Sequence, residues 1–119
     1  MASAHNLAGY LLADSNQRLD EAARYLARAR ELSPGDPAIL DSFGWLLLKQ
    51  GKTRAAVKAL DHAVRLAPRE AEILVHLAAA WAADKSPRTA LATLDRAAAL
   101  KPSPAVQKKL DAIRASLPR

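Results

Sequence analysis

The sequence predicts an all-α fold in which a two-helix unit is repeated along the chain. Three prolines lie 34 residues apart, at Pro34, Pro68 and Pro102. Each proline follows the same spaced pattern, Ala-x3-Leu-x2-Ala-x2-Leu, so the repetition extends to residue type as well as spacing. A fixed period of this length is typical of repeat architectures. The hydrophobic half of the 119 residues is mostly Ala and Leu, which favour helix over sheet.

The positions of proline, glycine and small polar residues predict where each helix begins and ends. Asp36-Pro37, Ser86-Pro87 and Ser103-Pro104 each place a side-chain oxygen at an N-cap, before proline at the first helical position. Gly51 is expected to end one helix, and Thr53 to cap the next. These signals predict seven helices, at about residues 4–14, 19–32, 37–50, 53–66, 71–84, 87–100 and 104–117.

Short connections predict that the first six helices form three antiparallel pairs. Close packing of each pair requires small side chains where the backbones cross. Such residues recur at the expected positions of the three pairs: Gly9, Ala22 and Ala29, then Gly44, Ala56 and Ala63, then Ala78, Ala90 and Ala97. The first pair is one residue out of register, and we expect the extra residue in the polar turn 14–18.

The second unit resembles a tetratricopeptide repeat (TPR) most closely. It carries Phe43-Gly44 in its first helix, then Ala56, Leu60 and Ala63, and ends at Pro68, as the family pattern does. The resemblance implies a right-handed helical solenoid of three TPR units within a single domain, residues 1–119. The units are expected at about residues 3–36, 37–70 and 71–103, followed by a C-terminal capping helix at 104–117.

Two stretches, 6–14 and 37–45, also resemble consecutive units of long bacterial TPR proteins, some of which are exported lipoproteins. This resemblance implies a fragment or subunit of a larger bacterial scaffold. The location is then cytoplasmic by default, or periplasmic if the parent protein is exported. No signal peptide is visible, and no apolar run reaches the length of about 20 residues that spans a bilayer.

In the TPR family the first helices line a concave groove that binds partner proteins. The resemblance places the following residues there: Asn6, Tyr10, Asp41, Trp45, Leu48, Lys49, Val75, Ala79 and Ala82. We expect Trp45 to be exposed beside Tyr10 and to anchor the partner. The Lys, Asn and Arg clamp that grips acidic chaperone tails in some members is missing. The expected ligand is therefore a protein or peptide segment with apolar anchors.

The residue pattern contains no motif for catalysis, cofactor binding or metal binding. There is no cysteine, and His5, His62 and His76 lack the spacing of metal ligands. No phosphate-binding loop or nucleophile motif is present. We therefore expect a non-catalytic protein without cofactor or metal, in which His76 lies at a junction between units.

The charge is unevenly distributed and suggests an alternative function. The net charge is +6, and residues 51–119 contain 13 basic and 6 acidic residues. The alternative is nucleic-acid or anionic-surface binding through these residues: Arg65, Arg69, Lys101, Lys108, Lys109, Arg114 and Arg119. Because the charges are spread at helical intervals without interleaved aromatics, a solvated outer face is the simpler interpretation, and nucleic acid is not the favoured partner.

The first predicted helix has an apolar outer stripe of Ala4, Leu7 and Leu11. In the second unit the corresponding stripe, which includes Ile39 and Leu46, is expected to pack on the unit before it. The stripe in the first helix therefore indicates either further repeats upstream or self-association through Leu7 and Leu11. Alternatively, a few exposed leucines have no role at all.

Overall fold

The computed structural model describes residues 1–118, which form seven α-helices and no strand. The helices are α1 (Ala2–Asp14), α2 (Leu19–Leu32), α3 (Pro37–Lys49), α4 (Thr53–Leu66), α5 (Ala71–Ala83), α6 (Pro87–Ala99) and α7 (Pro104–Ser116). The predicted all-α class is confirmed, and the helix ends lie within two residues of the predicted ones. None of these helices is long and apolar enough to cross a membrane.

Helices α1 to α6 pack as three successive pairs, and each new pair rests on the one before it. Helix α3 packs on α1 and α2, α5 packs on α3 and α4, and α7 packs on α5 and α6. The described residues measure 40 × 26 × 23 Å along their principal axes. Stacking of this kind places α1, α3, α5 and α7 in a row, which determines the side chains that can meet along it.

Small residues allow the two helices of a pair to approach closely, as the sequence predicts. A Cβ atom added at Gly44 would lie 2.4 Å from Cγ of Leu60, and one added at Gly9 would lie 2.6 Å from Cγ of Leu26. Both leucines are fully buried, as are Ala56 and other alanines at the crossings. The hydrophobic core therefore lies between the paired helices, and its packing depends on the absence of a side chain at these glycines.

The turns between paired helices confirm the predicted insertion. Four residues separate α1 from α2, whereas three separate α3 from α4 and α5 from α6. In the longer turn Asn16 and Arg18 adopt left-handed backbone conformations. The extra residue thus lies in a solvent-exposed turn and leaves the packing of the first pair intact.

Two of the four predicted N-terminal caps form. Asp36 accepts a hydrogen bond from the backbone of Ala38 at 2.9 Å, and Ser103 accepts one from Val106 at 3.3 Å. The predicted caps at Ser86 and Thr53 are wrong. Ser86 and Lys52 occupy the two N-cap positions with ψ near 70°, outside the extended region that side-chain capping requires. Thr53 is already the first residue of α4, and its hydroxyl donates to Asp84 at 3.1 Å.

Candidate functional site

Side chains from α1, α3, α5 and α7 meet in one connected group, which we call the inner-face cluster. It consists of Tyr10, Asp14, Asp41, Trp45, Lys49, Glu72, His76 and Lys109. Four of these, Tyr10, Asp41, Trp45 and Lys49, are groove residues that the sequence predicts. The cluster thus combines residues from all three helix pairs and from the C-terminal helix.

His76 on α5 is the centre of the cluster and is 1% exposed. Its Nδ1 lies 2.8 Å from Oδ1 of Asp41 on α3, and its Nε2 lies 3.3 Å from the hydroxyl of Tyr10 on α1. Because a carboxylate only accepts, Nδ1 donates to Asp41, and in the neutral imidazole Nε2 accepts from the tyrosine hydroxyl. One imidazole therefore joins three helix pairs, as expected of a histidine at a junction between units.

Trp45 is half-buried instead of exposed, which corrects the expectation from sequence. Its ring centroid lies 4.4 Å from that of His76, and its Nε1 donates to Oδ1 of Asp14 at 3.0 Å. The ammonium of Lys49 lies 5.1 Å from the centre of the Trp45 ring, within cation–π range. His76 from the next pair covers part of the indole. The hydrogen bond to Asp14 fixes the orientation of the part that remains accessible.

Lys109 on α7 is one of the four cluster members that were not predicted as groove residues, together with Asp14, Glu72 and His76. Its Nζ donates to Oε2 of Glu72 at 2.8 Å and to the hydroxyl of Tyr10 at 3.2 Å. The 34-residue period contained a usable signal, because Lys109 occupies the position of Val75 and Asp41 in the preceding units. The helix predicted only as a cap therefore contributes to the inner face.

The environment of Tyr10 and Lys109 shifts the pKa values of both. Burial raises the pKa of Tyr10, and the nearby Lys109 ammonium offsets this only in part. Burial alone would lower the pKa of Lys109, but its hydrogen bonds to Glu72 and Tyr10 outweigh that effect and raise it. Lys109 therefore carries its positive charge, and Tyr10 its proton, throughout the physiological pH range.

Titration of the tyrosinate absorbance should detect the raised pKa of Tyr10. We expect its ionisation to occur above pH about 10, the ordinary value for tyrosine, and the difference between wild type and Tyr10→Phe isolates that step. Since both pKa values are raised by folding, the stability contributed by Tyr10 and Lys109 is complete below pH about 10 and is lost above it. A Tyr10 step at or below the ordinary value would contradict the arrangement.

The other predicted groove residues differ in accessibility. Val75 is fully buried in the main hydrophobic core, and Asp41 is 8% exposed because it faces His76. The prediction that these two line an open surface is therefore wrong. The remaining groove residues are partly exposed: Asn6, Leu48, Ala79 and Ala82. Contact of any of these residues with a partner stays a prediction.

Asn6 has a feature that its neighbours lack. Its side-chain oxygen is buried, and no hydrogen bond to it is made by residues 1–118. Buried acceptors are nearly always satisfied in proteins, so this unpaired oxygen carries an energetic cost. Asn6 lies four residues before Tyr10 and hence on the same face of α1.

The order Asp41–His76–Tyr10 resembles a carboxylate–imidazole–hydroxyl relay, but its chemistry is not that of an activated nucleophile. Such a nucleophile needs its proton to leave easily, whereas burial raises the pKa of Tyr10. Within residues 1–118 there is also no group of three or more His, Asp or Glu side chains arranged to hold a metal ion. The three side chains link α1, α3 and α5.

The apolar stripe on α1 is exposed in the structure. Leu7 is 58% and Leu11 55% exposed, whereas Leu46, the counterpart of Leu11 in the second pair, is 3% exposed. The difference arises because α1 and α2 cover the corresponding face of α3. Self-association through Leu7 and Leu11 stays a prediction.

Several basic residues of the alternative function have acidic neighbours. Arg65 pairs with Asp61 at 3.1 Å, and Arg114 pairs with Asp95 at 3.2 Å, in addition to the pair formed by Lys109. Arg119 lies outside the described residues. Pairing of these side chains lowers the local positive potential on which nucleic-acid binding would depend.

Comparison with known proteins gives concordant results. A family model described as tetratricopeptide repeat matches residues 1–37 and 42–104. A TPR repeat-containing protein of Pseudomonas aeruginosa is 43% identical to this chain over 76 residues. Those residues are 64% of this chain and 13% of the relative, so the chain matches a small part of a much longer protein.

Proposed function

The chain belongs to the tetratricopeptide repeat family, and from that premise we propose that it binds a segment of a partner protein along its inner face. Repeats of this family generally mediate protein–protein interactions, and the family is typically non-catalytic. We also propose which surface of the chain contacts the partner. The surface is formed by the accessible part of the inner-face cluster together with Asn6, Leu48 and Ala79.

One observation carries the proposal: Tyr10 and Trp45, from two different helix pairs, both lie against the ring of His76, and each stays partly exposed. Large aromatic side chains are the usual anchors of protein interfaces. Because hydrogen bonds to His76 and Asp14 already fix the two rings, binding requires little further ordering of this surface.

The polar groups around these rings suggest how the partner is oriented. Asn6 is partly exposed one helical turn before Tyr10, and its side-chain amide hydrogen-bonds the backbone of the partner. Apolar anchors then contact the indole of Trp45 and the neighbouring Leu48 and Ala79. We infer an extended or helical partner segment with apolar side chains, consistent with the mixed character of this surface.

The relative from Pseudomonas supports a further part of the proposal. There a similar stretch is 13% of a longer TPR repeat-containing protein. We propose that the present unit likewise works within a larger bacterial scaffold and that the partner is recognised by several such units together.

Trp45→Ala is expected to weaken capture of the partner at least tenfold, since loss of a central aromatic anchor commonly costs 2 kcal/mol or more. The immobilised chain is used to capture proteins from a bacterial lysate, and affinity for the recovered partner is then measured by calorimetry. Tyr25→Ala is the matched control, because Tyr25 lies on α2 and contacts His5 outside the cluster. Equal affinities of wild type and Trp45→Ala, with both folded, would refute the assigned surface.

A further inference from the structure

The outer face of α1 is exposed, whereas the corresponding faces of α3 and α5 are covered. Alignment of Gly9 with Gly44 and Ala78 gives the counterparts of Ala4, Leu7 and Leu11, which are Ile39, Ser42 and Leu46 on α3 and Ile73, His76 and Ala80 on α5. None of these six counterparts is more than 5% exposed, because α3 and α5 each pack on the pair before them. The face of α1 that is equivalent to two buried junctions is therefore open.

At its centre this open face is more apolar than its covered counterparts. Leu7 corresponds to Ser42 and His76, so an apolar side chain stands where the covered faces have a polar one. Leu7 and Leu11 lie one helical turn apart and hence form one patch. An exposed apolar patch marks an interaction surface, and the equivalent positions of the other two pairs each contact helices. We therefore expect a helix to pack on this patch.

The best-matched helix in this chain is α1 itself. Leu32, Leu66 and Leu91 are also exposed, but each is the single exposed leucine of its helix within residues 1–118. The far face of the third pair is not available, because α7 packs there on α5 and α6. This disfavours a head-to-tail contact between copies and favours one that uses the same surface of both, the commonest arrangement of protein dimers.

The ends of α1 favour an antiparallel contact between two copies of this helix. Helix α1 has no side-chain cap at its N-terminus and no acidic residue in its first turn, so the positive end of its dipole is uncompensated. Asp14 is exposed in the last turn. When Leu7 of one copy opposes Leu11 of the other, each Asp14 lies beside the N-terminal turn of the opposite helix. A parallel arrangement would instead bring the two carboxylates together.

We propose that two copies of this chain associate through the outer face of α1, with Leu7 of each copy packed against Leu11 of the other across a twofold axis. One helix face is smaller than the interfaces of stable dimers, which bury about 1,200–2,000 Å² in total. The dimer is therefore weak, and its population depends on protein concentration. The inference goes beyond the proposed function, and its tests need no other partner, so the two can fail separately.

Sedimentation equilibrium of the free chain tests the association. Between about 10 μM and about 1 mM, the average mass is expected to rise from that of one chain toward that of two, because mass action favours the dimer at high concentration. The mass of one chain at every concentration would overturn the proposal and would leave a different helical partner as the occupant of this face.

Leu11→Glu is expected to raise the dissociation constant of the dimer at least about tenfold, because a symmetric contact would bury two carboxylates against apolar side chains. Leu91→Glu is the matched control, since it makes the same substitution at an exposed leucine of α6, away from this face. Equal dissociation constants for the two variants would contradict the assigned surface. Circular dichroism of each variant confirms that the helices remain folded.

Disulfide cross-linking reports the orientation of the two helices, because the chain contains no cysteine of its own. Leu7→Cys is mixed with isotopically labelled Leu11→Cys and oxidised at high protein concentration. A disulfide forms only where the two Cα atoms come within about 7 Å, so we expect disulfides chiefly between the unlike variants. Disulfides chiefly between like variants, or none above the level of a Leu91→Cys control, would overturn the antiparallel contact.

Discussion

Gly44→Val is expected to lower the free energy of unfolding by about 3 kcal/mol, the upper range for overpacking a close-packed core. A Cβ at this position would lie 2.4 Å from Cγ and 2.7 Å from Cδ2 of Leu60. Leu60 is fully buried, so it cannot turn toward solvent to relieve the overlap. Helices α3 and α4 must separate, and the clash with the branched valine then disrupts the packing of the middle pair.

Urea unfolding followed by circular dichroism measures this loss, and a helix-propensity control isolates its cause. Ala92→Val introduces the same residue at an exposed position of α6, where the expected cost is about 0.6 kcal/mol. If Gly44→Val cost no more than this control, the close approach of α3 and α4 at Gly44 would be contradicted.

Asp41→Ala is expected to lower the free energy of unfolding by about 2 kcal/mol, the typical penalty for a buried donor left without its acceptor. His76 loses the carboxylate that lies 2.8 Å from its Nδ1, and at 1% exposure it gains no water in exchange. The imidazole also loses its fixed orientation, which weakens its ring contacts with Tyr10 and Trp45. We therefore expect a change in tryptophan fluorescence together with the loss of stability.

Asp41→Asn distinguishes loss of the hydrogen bond from loss of the charge. The amide oxygen still accepts from Nδ1 of His76, so this variant is expected to retain most of the stability that Asp41→Ala loses. Chemical denaturation monitored by tryptophan emission compares the three proteins. Wild-type stability in Asp41→Ala would show that the Asp41–His76 contact is not needed to hold the helix pairs together.

Local signals explain why the helices could be predicted almost to the residue. Proline at Pro37, Pro87 and Pro104 begins a helix because its missing N–H has no intrahelical partner there. Gly51 follows α3 with a φ of +80°, a conformation that disfavours side chains. Such effects act within a few residues, so they can be recognised in the amino-acid sequence.

Capping hydrogen bonds were predicted less well because they compete with tertiary contacts. The hydroxyl of Thr53 donates to Asp84, 31 residues away in the next pair, and Ser86 enters α6 with a ψ that does not suit side-chain capping. At both positions the residue type alone was an insufficient guide, since the turn geometry decides where the hydroxyl points.

The inner face also combines features that could be predicted from the sequence with features that depend on tertiary contacts. The family resemblance predicted that Tyr10, Trp45 and Lys49 line this face, and the structure brings them together in one cluster. The sequence did not indicate that Val75 is fully buried or that Asp41 faces His76. Lys109 and Tyr10 lie 99 residues apart in the chain. Their contact depends on how the helix pairs stack, which no local sequence pattern encodes.

By itself, the amino-acid sequence determined the helices, their pairing and the family, because helix formation and the crossing of paired helices depend on residues at short, regular spacing. Only the tertiary structure decided which inner-face groups are covered, which are exposed and which are joined to one another. The physical reason is that small rotations between successive pairs add up along the stack. They set the distances between side chains that are far apart in the chain.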